Sequence, residues 1–364
     1  MKLQRYSAVL ALAATSTLLV SACGAANEPS NPAGGDGNLS GTIAGAGASS
    51  QGAAMQAWIA GFTGVAPNVT VTYDPVGSGG GREQFIAGGT AFAGTDAYLK
   101  DDELAKAMQR CGGDVVEVPL YISPIAIVYK LDGVNDLKLR PATIAGIFAQ
   151  KITNWNDQAI KTDNPGVTLP DLRITAVNRS DKSGTTENFA EYLKEVAPGV
   201  WTYKVSGDWP VPGGAAAQGT SGVVGAVGAG NGTIGYADAS QVGDLKAVGV
   251  GVGSGFVKPT AEAASAVLEA STRVEGRGDH SFAYDLARDT TQSGTYPIVL
   301  VSYSLACGRY SNAADGTLVK AFFTYVAGKQ GQEAAAKNAG SAPISDALRA
   351  KLKPTIDAIG TAGR

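Results

Sequence analysis

Residues 41–62 read GTIAGAGASSQGAAMQAWIAGF, and residues 69–86 read VTVTYDPVGSGGGREQFI. In the first stretch Gly41 to Ala46 reads as a strand. From Gln51 onward, Met55, Trp58, Ile59 and Phe62 fall at i, i+3, i+4 and i+7, which makes one apolar helix face. In the second stretch Val69 to Tyr73 reads as a strand, and Gly77-Ser78-Gly79-Gly80-Gly81 leads into a short helix around Gln84 to Ile86. Strand, small-residue turn and helix therefore follow one another twice, which is the rhythm of an α/β chain.

The same rhythm continues outward. Phe92 to Thr95 is a strand ending at Asp96, and Asp101 and Asp102 open a helix that runs to Arg110. Val115 to Ile122 and Ile125 to Tyr129 read as two more strands. Pro141 suits the first turn of a helix carrying Ile144, Ile147 and Phe148. Ile174 to Val177 is a strand running into Arg179-Ser180-Asp181-Lys182-Ser183-Gly184-Thr185, and the helix after it carries Phe189, Leu193 and Val196 on one face. Ser221-Gly222-Val223 opens another helix, Ile298 to Tyr303 is a late strand, and helical text with Leu318, Phe322 and Val326 follows. No repeat of fixed period is present. The expectation is two α/β lobes with mostly parallel sheets.

The chain has 364 residues, 44% apolar and 17% charged, with 49 glycines and 16 prolines. That is length for two domains and some excess, rich in tight turns. One histidine and three cysteines exclude most zinc designs, so no metal or cofactor is expected, and a net charge of −3 argues against nucleic acid as a partner. The lone His280 lies in a polar stretch and reads as a surface residue.

The N-terminus reads as an address. Lys2 and Arg5 precede an apolar run from Ala8 to Val20, too short for a membrane span of about 20 residues and suited to a signal-peptide core. Leu19-Val20-Ser21-Ala22-Cys23 resembles a bacterial lipobox. Residues 1–22 would then be a lipoprotein signal peptide and Cys23 a palmitate-bearing lipidated residue. Residues 23–40 would be a flexible tether holding the protein to the extracytoplasmic face of the cell membrane. A plain signal peptide with an incidental cysteine is the alternative. Cys111 and Cys307 remain as an even pair in an oxidising compartment. A bridge would close a loop of about 197 residues, worth at most about 5 kcal/mol, and two buried thiols are the alternative. Loss of the leader removes Lys2 and Arg5 and no acid, so any bound anion must be held by local dipoles.

Four segments place small hydroxyl or glycine residues where a strand gives way to a helix: Gly45 to Ser50, Gly77 to Gly80, Thr95-Asp96 and Ser183-Gly184-Thr185. A helix N-terminus offers unpaired N–H groups and about half a positive charge. Hydroxyls add donors, and together these make an anion cradle that needs no lysine. Each segment alone also reads as a helix cap. Arg179 supplies a fork for an oxyanion. Asp96 is the informative element, because a carboxylate repels an anion unless the anion brings a proton. Phosphate keeps a proton near neutral pH and sulfate does not, so Asp96 would admit the first and penalise the second. Asp96 also reads as a cap for the segment after it, and Asp181 either orients Arg179 or faces water.

GAGASS, GSGGG, FAGTDAYL and RSDKSGTT, in this order and spacing, resemble the signature of the periplasmic phosphate-binding protein (PstS) of the ABC phosphate importer, in the lipoprotein form found in actinobacteria. The resemblance covers residues 41–364. It implies a two-lobed type II periplasmic-binding-protein fold with the ligand cleft between lobes. Residues 41–129 and 292–364 would form lobe 1, and residues 130–291 lobe 2. It implies inorganic phosphate ligands at Ser49, Ser50, Ser78, Asp96, Arg179, Ser183, Gly184 and Thr185. Where many members have Thr-Phe this chain has Ser49-Ser50, and the second residue should act mainly through its backbone N–H. Cys111 and Cys307 would both fall in or beside lobe 1, in favour of the bridge. The implied role is that of a monomeric receptor delivering phosphate to ABC permease subunits driven by a separate ATPase, not that of an enzyme.

Other readings compete less well. Gly45-x-Gly47-x-x-Ser50 with Asp74 approximates a dinucleotide fingerprint but lacks its third glycine. Lys182-Ser183-Gly184 mimics one element of penicillin-binding proteins, but no serine is followed by lysine three positions on, and no G-x-S-x-G or P-loop is present. The same fold could serve another oxyanion, a phosphate ester, or a surface phosphate sensor or adhesin.

Overall fold

The computed structural model describes residues 39–360. The expected signal peptide, Cys23 and nearly all of the tether lie outside the described residues. The first half comprises β1 (Ser40–Gly47), α1 (Gly52–Val65), β2 (Asn68–Asp74), α2 (Ser78–Ile86), β3 (Phe92–Thr95), α3 (Asp101–Arg110) and the long β4 (Val115–Lys130). Next come β5 (Lys138–Leu139), α4 (Pro141–Phe148), α5 (Gln158–Asp163), β6 (Thr175–Arg179), α6 (Gly184–Val196), β7 (Ala215–Ala217), α7 (Gly219–Ala229) and β8 (Thr233–Asp238). Short strands β9 (Lys246–Ala247), β10 (Gly249–Val252) and β11 (Gly255–Val257) precede α8 (Ala261–Ala270), β12 (Thr272–Arg273) and β13 (Tyr284–Asp285). The described chain closes with β14 (Val299–Cys307), α9 (Ala313–Ala327), α10 (Lys329–Ala339) and α11 (Asp346–Asp357).

A curled sheet runs in the order β2-β1-β3-β14-β4-β8-β6-β7, with β9 also on β4. It is mixed, which corrects the expectation of mostly parallel sheets. The pairs β1–β2, β1–β3, β6–β7 and β6–β8 are parallel, whereas β14–β3, β14–β4 and β4–β8 are antiparallel. Two of the antiparallel pairs come from β14, which returns from the far end of the chain and inserts between β3 and β4. A strand that arrives by a long return is free to run in either sense.

The two runs read at 115–122 and 125–129 are one strand. Val115 to Pro124 pair with β14, and Ile125 to Lys130 pair with β8. Pro124 sits at the exchange of partners, where a residue without an N–H costs the ladder least. Every residue of β4 except the last is buried, which explains an apolar run with no alternation. The sheet thus changes partners at Pro124/Ile125, with β3 and β14 on one side and β8, β6 and β7 on the other, in keeping with a two-lobed fold.

Helices follow their apolar stripes. On α1, Ala54, Met55, Trp58 and Phe62 are buried, and Trp58 also donates its indole N–H to the Gly331 carbonyl at 2.9 Å. On α6, Phe189 and Leu193 are fully buried. Phe189 stacks on Tyr236 of β8 at 4.6 Å between centroids and meets Phe148 of α4 edge-on at 4.8 Å. Burying each such ring is worth about 1.5–3 kcal/mol, and this cluster fixes the direction in which the first turn of α6 points. Pro141 opens α4 as expected. Cys111 at the end of α3 and Cys307 at the end of β14 form a disulfide, with Cα atoms 4.9 Å apart. Among the described residues no helix is long and apolar enough to cross a membrane.

Candidate functional site

The N-termini of α1, α2 and α6 converge on Asp96, which projects from the end of β3 and is only 2% exposed. Its Oδ1 accepts hydrogen bonds from Ser50 Oγ at 2.7 Å and Ser302 Oγ at 2.8 Å. Its Oδ2 accepts one from Thr185 Oγ1 at 2.9 Å, on the first turn of α6. The carboxyl is therefore engaged by three hydroxyls and caps no helix, which settles the alternative reading of Asp96. Burial raises its pKa above the ordinary carboxylate range, while the three hydroxyls and the charge of Arg179 pull it partly back.

The backbone of Asp96 is held as closely. Its N–H donates to Ser78 Oγ at 3.1 Å, and its carbonyl accepts from Asn188 Nδ2 at 2.6 Å. Ser78 uses a lone pair there and keeps its hydroxyl proton for another acceptor. Ser183 does the same: as N-cap of α6, its Oγ accepts from Thr186 N–H at 3.2 Å. Two glycines make the approach possible. Gly77 precedes α2 with φ of +89°, and a Cβ there would lie 2.5 Å from Asp181 Oδ2. A Cβ on Gly184 would lie 2.6 Å from Ser78 Oγ and 2.7 Å from Asp96 Cβ.

Arg179, 3% exposed, ends β6 on the opposite lobe. Its Nε donates to Asp181 Oδ1 at 2.8 Å and its Nη2 to Asp181 Oδ2. Asp181 thus orients the guanidinium, resolving the choice left open by the sequence, and two of the five guanidinium donors are taken. Burial alone would raise the Asp181 pKa, but the hydrogen bonds and charge of Arg179 and the Gly219 N–H at 2.9 Å hold it below the ordinary range. The Arg179 N–H donates to Tyr236 Oη at 3.3 Å.

Ser49 lies apart from Asp96. Its Oγ meets Thr220 Oγ1 at 3.1 Å and accepts from Thr220 N–H at 3.1 Å, on the first turn of α7. That helix begins at Gly219, slightly earlier than Ser221-Gly222-Val223 suggested. Gln241 Nε2 donates across the cleft to the carbonyls of Ser49 and Ser50 at 2.9 and 3.0 Å. Gly79 N–H reaches the Lys182 carbonyl at 3.0 Å. At the rim Lys100 pairs with Glu187 at 2.6 Å, and Lys182 approaches Glu83 and Glu103 at 3.8 and 3.9 Å. The lobes are therefore closed on each other.

Ser302, Asn188, Thr220 and Gln241 were not singled out by the sequence. Ser302 carried a signal, as a hydroxyl inside the apolar run YPIVLVSYSLAC. The strand register shifts between Ser302 and Tyr303, opposite Pro119 and Tyr121. Leu120 of β4 is the extra residue of this irregularity, so β4 carries the bulge opposite the serine that donates to Asp96. Ser50 has its hydroxyl engaged by Asp96 Oδ1, which leaves its backbone N–H as the group expected to meet a ligand. His280 is half-buried and its Nδ1 lies 2.7 Å from Asp114 Oδ1.

A PBP superfamily domain model matches residues 31–330. Phosphate-binding protein PstS2 of Mycobacterium bovis (strain BCG / Pasteur 1173P2) is 34% identical over 379 residues, covering 99% of this chain and 100% of the relative. The chain belongs to the PstS family. Phosphate-binding protein PstS of Xylella fastidiosa is 33% identical over 294 residues, covering 78% of this chain and 76% of that one. PstS-like folds extend to solved structures at lower identity. A periplasmic phosphate-binding protein, PfluDING, solved with phosphate bound, aligns with a TM-score of 0.70 at 22% identity, over 86% of this chain and 93% of that one. A substrate-binding protein from Clostridium perfringens aligns with a TM-score of 0.59 at 20% identity, over 82% and 98%. These two establish the fold, and the PstS relatives establish the family.

Proposed function

We propose that this chain binds inorganic phosphate outside the cytoplasm and hands it to ABC permease subunits powered by a separate ATPase. The observation that carries the reading is Asp96, a buried acceptor set among helix N-termini and hydroxyls. A site for a fully deprotonated oxyanion has no use for a carboxylate. A ligand that retains a proton does, and phosphate is such a ligand.

The ligand set of the reading is Ser49, Ser50, Ser78, Asp96, Arg179, Ser183, Gly184 and Thr185. Ser78 and Ser183 spend lone pairs within the protein and keep their protons to donate. The first turns of α2 and α6 add N–H groups and dipole. Arg179, aligned by Asp181, contributes its remaining donors. A carboxylate offers about four lone-pair sites; three hydroxyls occupy Asp96, which leaves one on Oδ2 for the proton of phosphate. Each hydrogen bond to a charged group is worth about 1.5–3 kcal/mol, and several such bonds must outweigh dehydration of the anion.

Closure would turn on β4, whose change of partner at Pro124/Ile125 supports a lobe crossover just ahead of the 129/130 boundary read from the sequence. The lobes of this reading are 41–124 with 292–364, and 125–291. Cys23 would carry the lipid, with 23–40 as tether, and the working unit would be a monomer. Transport rather than catalysis is the role, in keeping with relatives named as phosphate-binding proteins.

The test is calorimetry on the full chain in detergent, stripped of anions, titrated with phosphate and then sulfate. Tight one-to-one phosphate binding with no sulfate heat is the expected result. Equal binding of both would replace the substrate, and silence from both in folded protein would overturn the receptor reading.

A further inference from the structure

Two of the three hydroxyls on Asp96 converge on the same oxygen. Ser50, at the turn into α1, and Ser302, on β14 opposite Tyr121, both donate to Oδ1, while Thr185 donates to Oδ2. Ser302 has little freedom in this. Its Oγ accepts a hydrogen bond from Gln51 Nε2, so its own proton must go elsewhere, and Asp96 Oδ1 is the acceptor within reach. Ser50, Gln51 and Ser302 are each 0% exposed, so these bonds are shielded from bulk solvent. Gln51 is the residue after Ser50, so α1 supplies one donor directly and fixes the other.

We propose that Ser50 and Ser302 are positioning and specificity-determining residues: by donating together to Oδ1 they keep Asp96 an acceptor and present Oδ2 as the face that an incoming oxyanion must meet with a proton. This rests on the phosphate reading and deepens it. A hydroxyl donated to a carboxylate favours the ionised form. Both bonds favour the ionised form against the burial that opposes it, and a sulfate oxygen then meets unrelieved repulsion. Without them the carboxyl takes up a proton at higher pH and can donate to sulfate.

The groups facing Asp96 leave this role to the hydroxyls. Arg179 from β6 is the cation that acts on it, and its guanidinium is bonded to Asp181. Tyr73 from β2 is kept neutral, its pKa raised well above the usual phenol value by burial and then by Asp96 and Asp74. Arg82 from α2 reaches the neighbouring Thr95 and pairs with Glu103, and Glu187 of α6 turns to Lys100. From the α1 turn and from β14, Asp96 accepts side-chain hydrogen bonds from Ser50 and Ser302.

The experiment compares the full chain in detergent with Ser50→Ala, Ser302→Ala, the double variant and Ser50→Thr. Each is titrated with phosphate and with sulfate from pH 4.5 to 8.5. We expect wild type to take sulfate only in acid, where Asp96 is protonated. Each alanine should move the pH at which sulfate binding appears upward by about one unit, with Ser50→Thr returning it toward wild type. A merely structural role would weaken both anions alike and leave that pH in place. If the alanine variants bind phosphate and show the wild-type sulfate profile, the inference is wrong and the phosphate reading stands. If wild type binds sulfate at neutral pH, or neither anion at all, the phosphate reading falls and the inference with it.

Discussion

The sharpest single perturbation is Gly184→Ala. Gly184 is the first residue of α6, where alanine is the better helix former by about 1 kcal/mol, and the substitution keeps the backbone N–H. The cost lies across the cleft. The new Cβ would fall 2.6 Å from Ser78 Oγ, 2.7 Å from Asp96 Cβ and 3.1 Å from Ala97 N. Ser78 can rotate away, but the other two atoms belong to or adjoin the backbone. To regain van der Waals spacing the first turn of α6 must retreat from β3 by about 1 Å. That retreat carries Thr185 Oγ1 and Asn188 Nδ2 out of hydrogen-bond range of Asp96, from 2.9 and 2.6 Å. One lost bond to a carboxylate and one to a carbonyl together amount to about 3 kcal/mol, or about 100-fold in Kd. Because these contacts join the lobes, anion-free protein relieves the clash by opening. We therefore expect thermal unfolding of the free variant to match or exceed wild type while phosphate affinity, read by calorimetry, falls about 100-fold. Wild-type affinity in the variant would refute the close approach of α6 to Asp96 as a condition of binding.

Asp96→Asn should weaken phosphate and admit sulfate, lowering the phosphate-to-sulfate affinity ratio about tenfold or more; an unchanged ratio in competition titrations would remove Asp96 as selector. Asp238, at the β4 exchange opposite Ile125, is fully buried, and burial raises its pKa to about 6 against hydrogen bonds from Ser240 and Tyr121 that lower it. A raised carboxyl stabilises fully below its unfolded value near 4 and loses that contribution as pH rises through about 6, so wild type should lose up to about 3 kcal/mol relative to Asp238→Asn between pH 4 and 7. Parallel denaturant curves for the two proteins across that range would contradict the assignment. Replacing Cys111 and Cys307 together by alanine should cost about 2–5 kcal/mol of unfolding free energy, measured by denaturant against the oxidised protein, with phosphate selectivity retained.

Much of the frame was legible because short-range physics writes it. The α1 stripe of Met55, Trp58 and Phe62, the acidic opening of α3 and Pro141 at the start of α4 depend on neighbours a few positions apart. What the sequence hid depends on distant partners. Nothing near Val115 to Lys130 announces that β4 exchanges β14 for β8, and nothing near Val299 announces that β14 runs antiparallel to both its neighbours. The site divides in the same way. Gly77, Ser78, Ser183 and Thr185 sit in turns whose composition betrays a helix N-terminus, and Asp96 follows a short strand. Ser302 and Asn188 reach Asp96 only because a returning strand and the second turn of α6 arrive there, and a lone hydroxyl in an apolar run was their sole trace.

Closed on itself, the site holds little net attraction for an anion. Arg179 is paired with Asp181, and Asp96 adds a further carboxylate, so the side-chain charges at the centre sum to a negative value. The cations at the rim are also spoken for, Lys100 by Glu187 and Lys182 by Glu83 and Glu103. With the whole chain at −3, no basic field draws phosphate in. Affinity must come after arrival, from N–H groups and hydroxyls already oriented in a dry site, where dipoles act without the screening of water. Such a receptor should show an association rate that is flat or rises with salt, as repulsion is screened over a Debye length that shrinks to about 10 Å at 0.1 M. A receptor steered by lysines and arginines would show a steep fall. Stopped-flow association at salt concentrations from about 0.01 to 0.5 M separates the two, since they differ in the sign of the slope. A steep decline would mean that unpaired cations guide the ligand and that helix dipoles and hydroxyls are not the source of recognition.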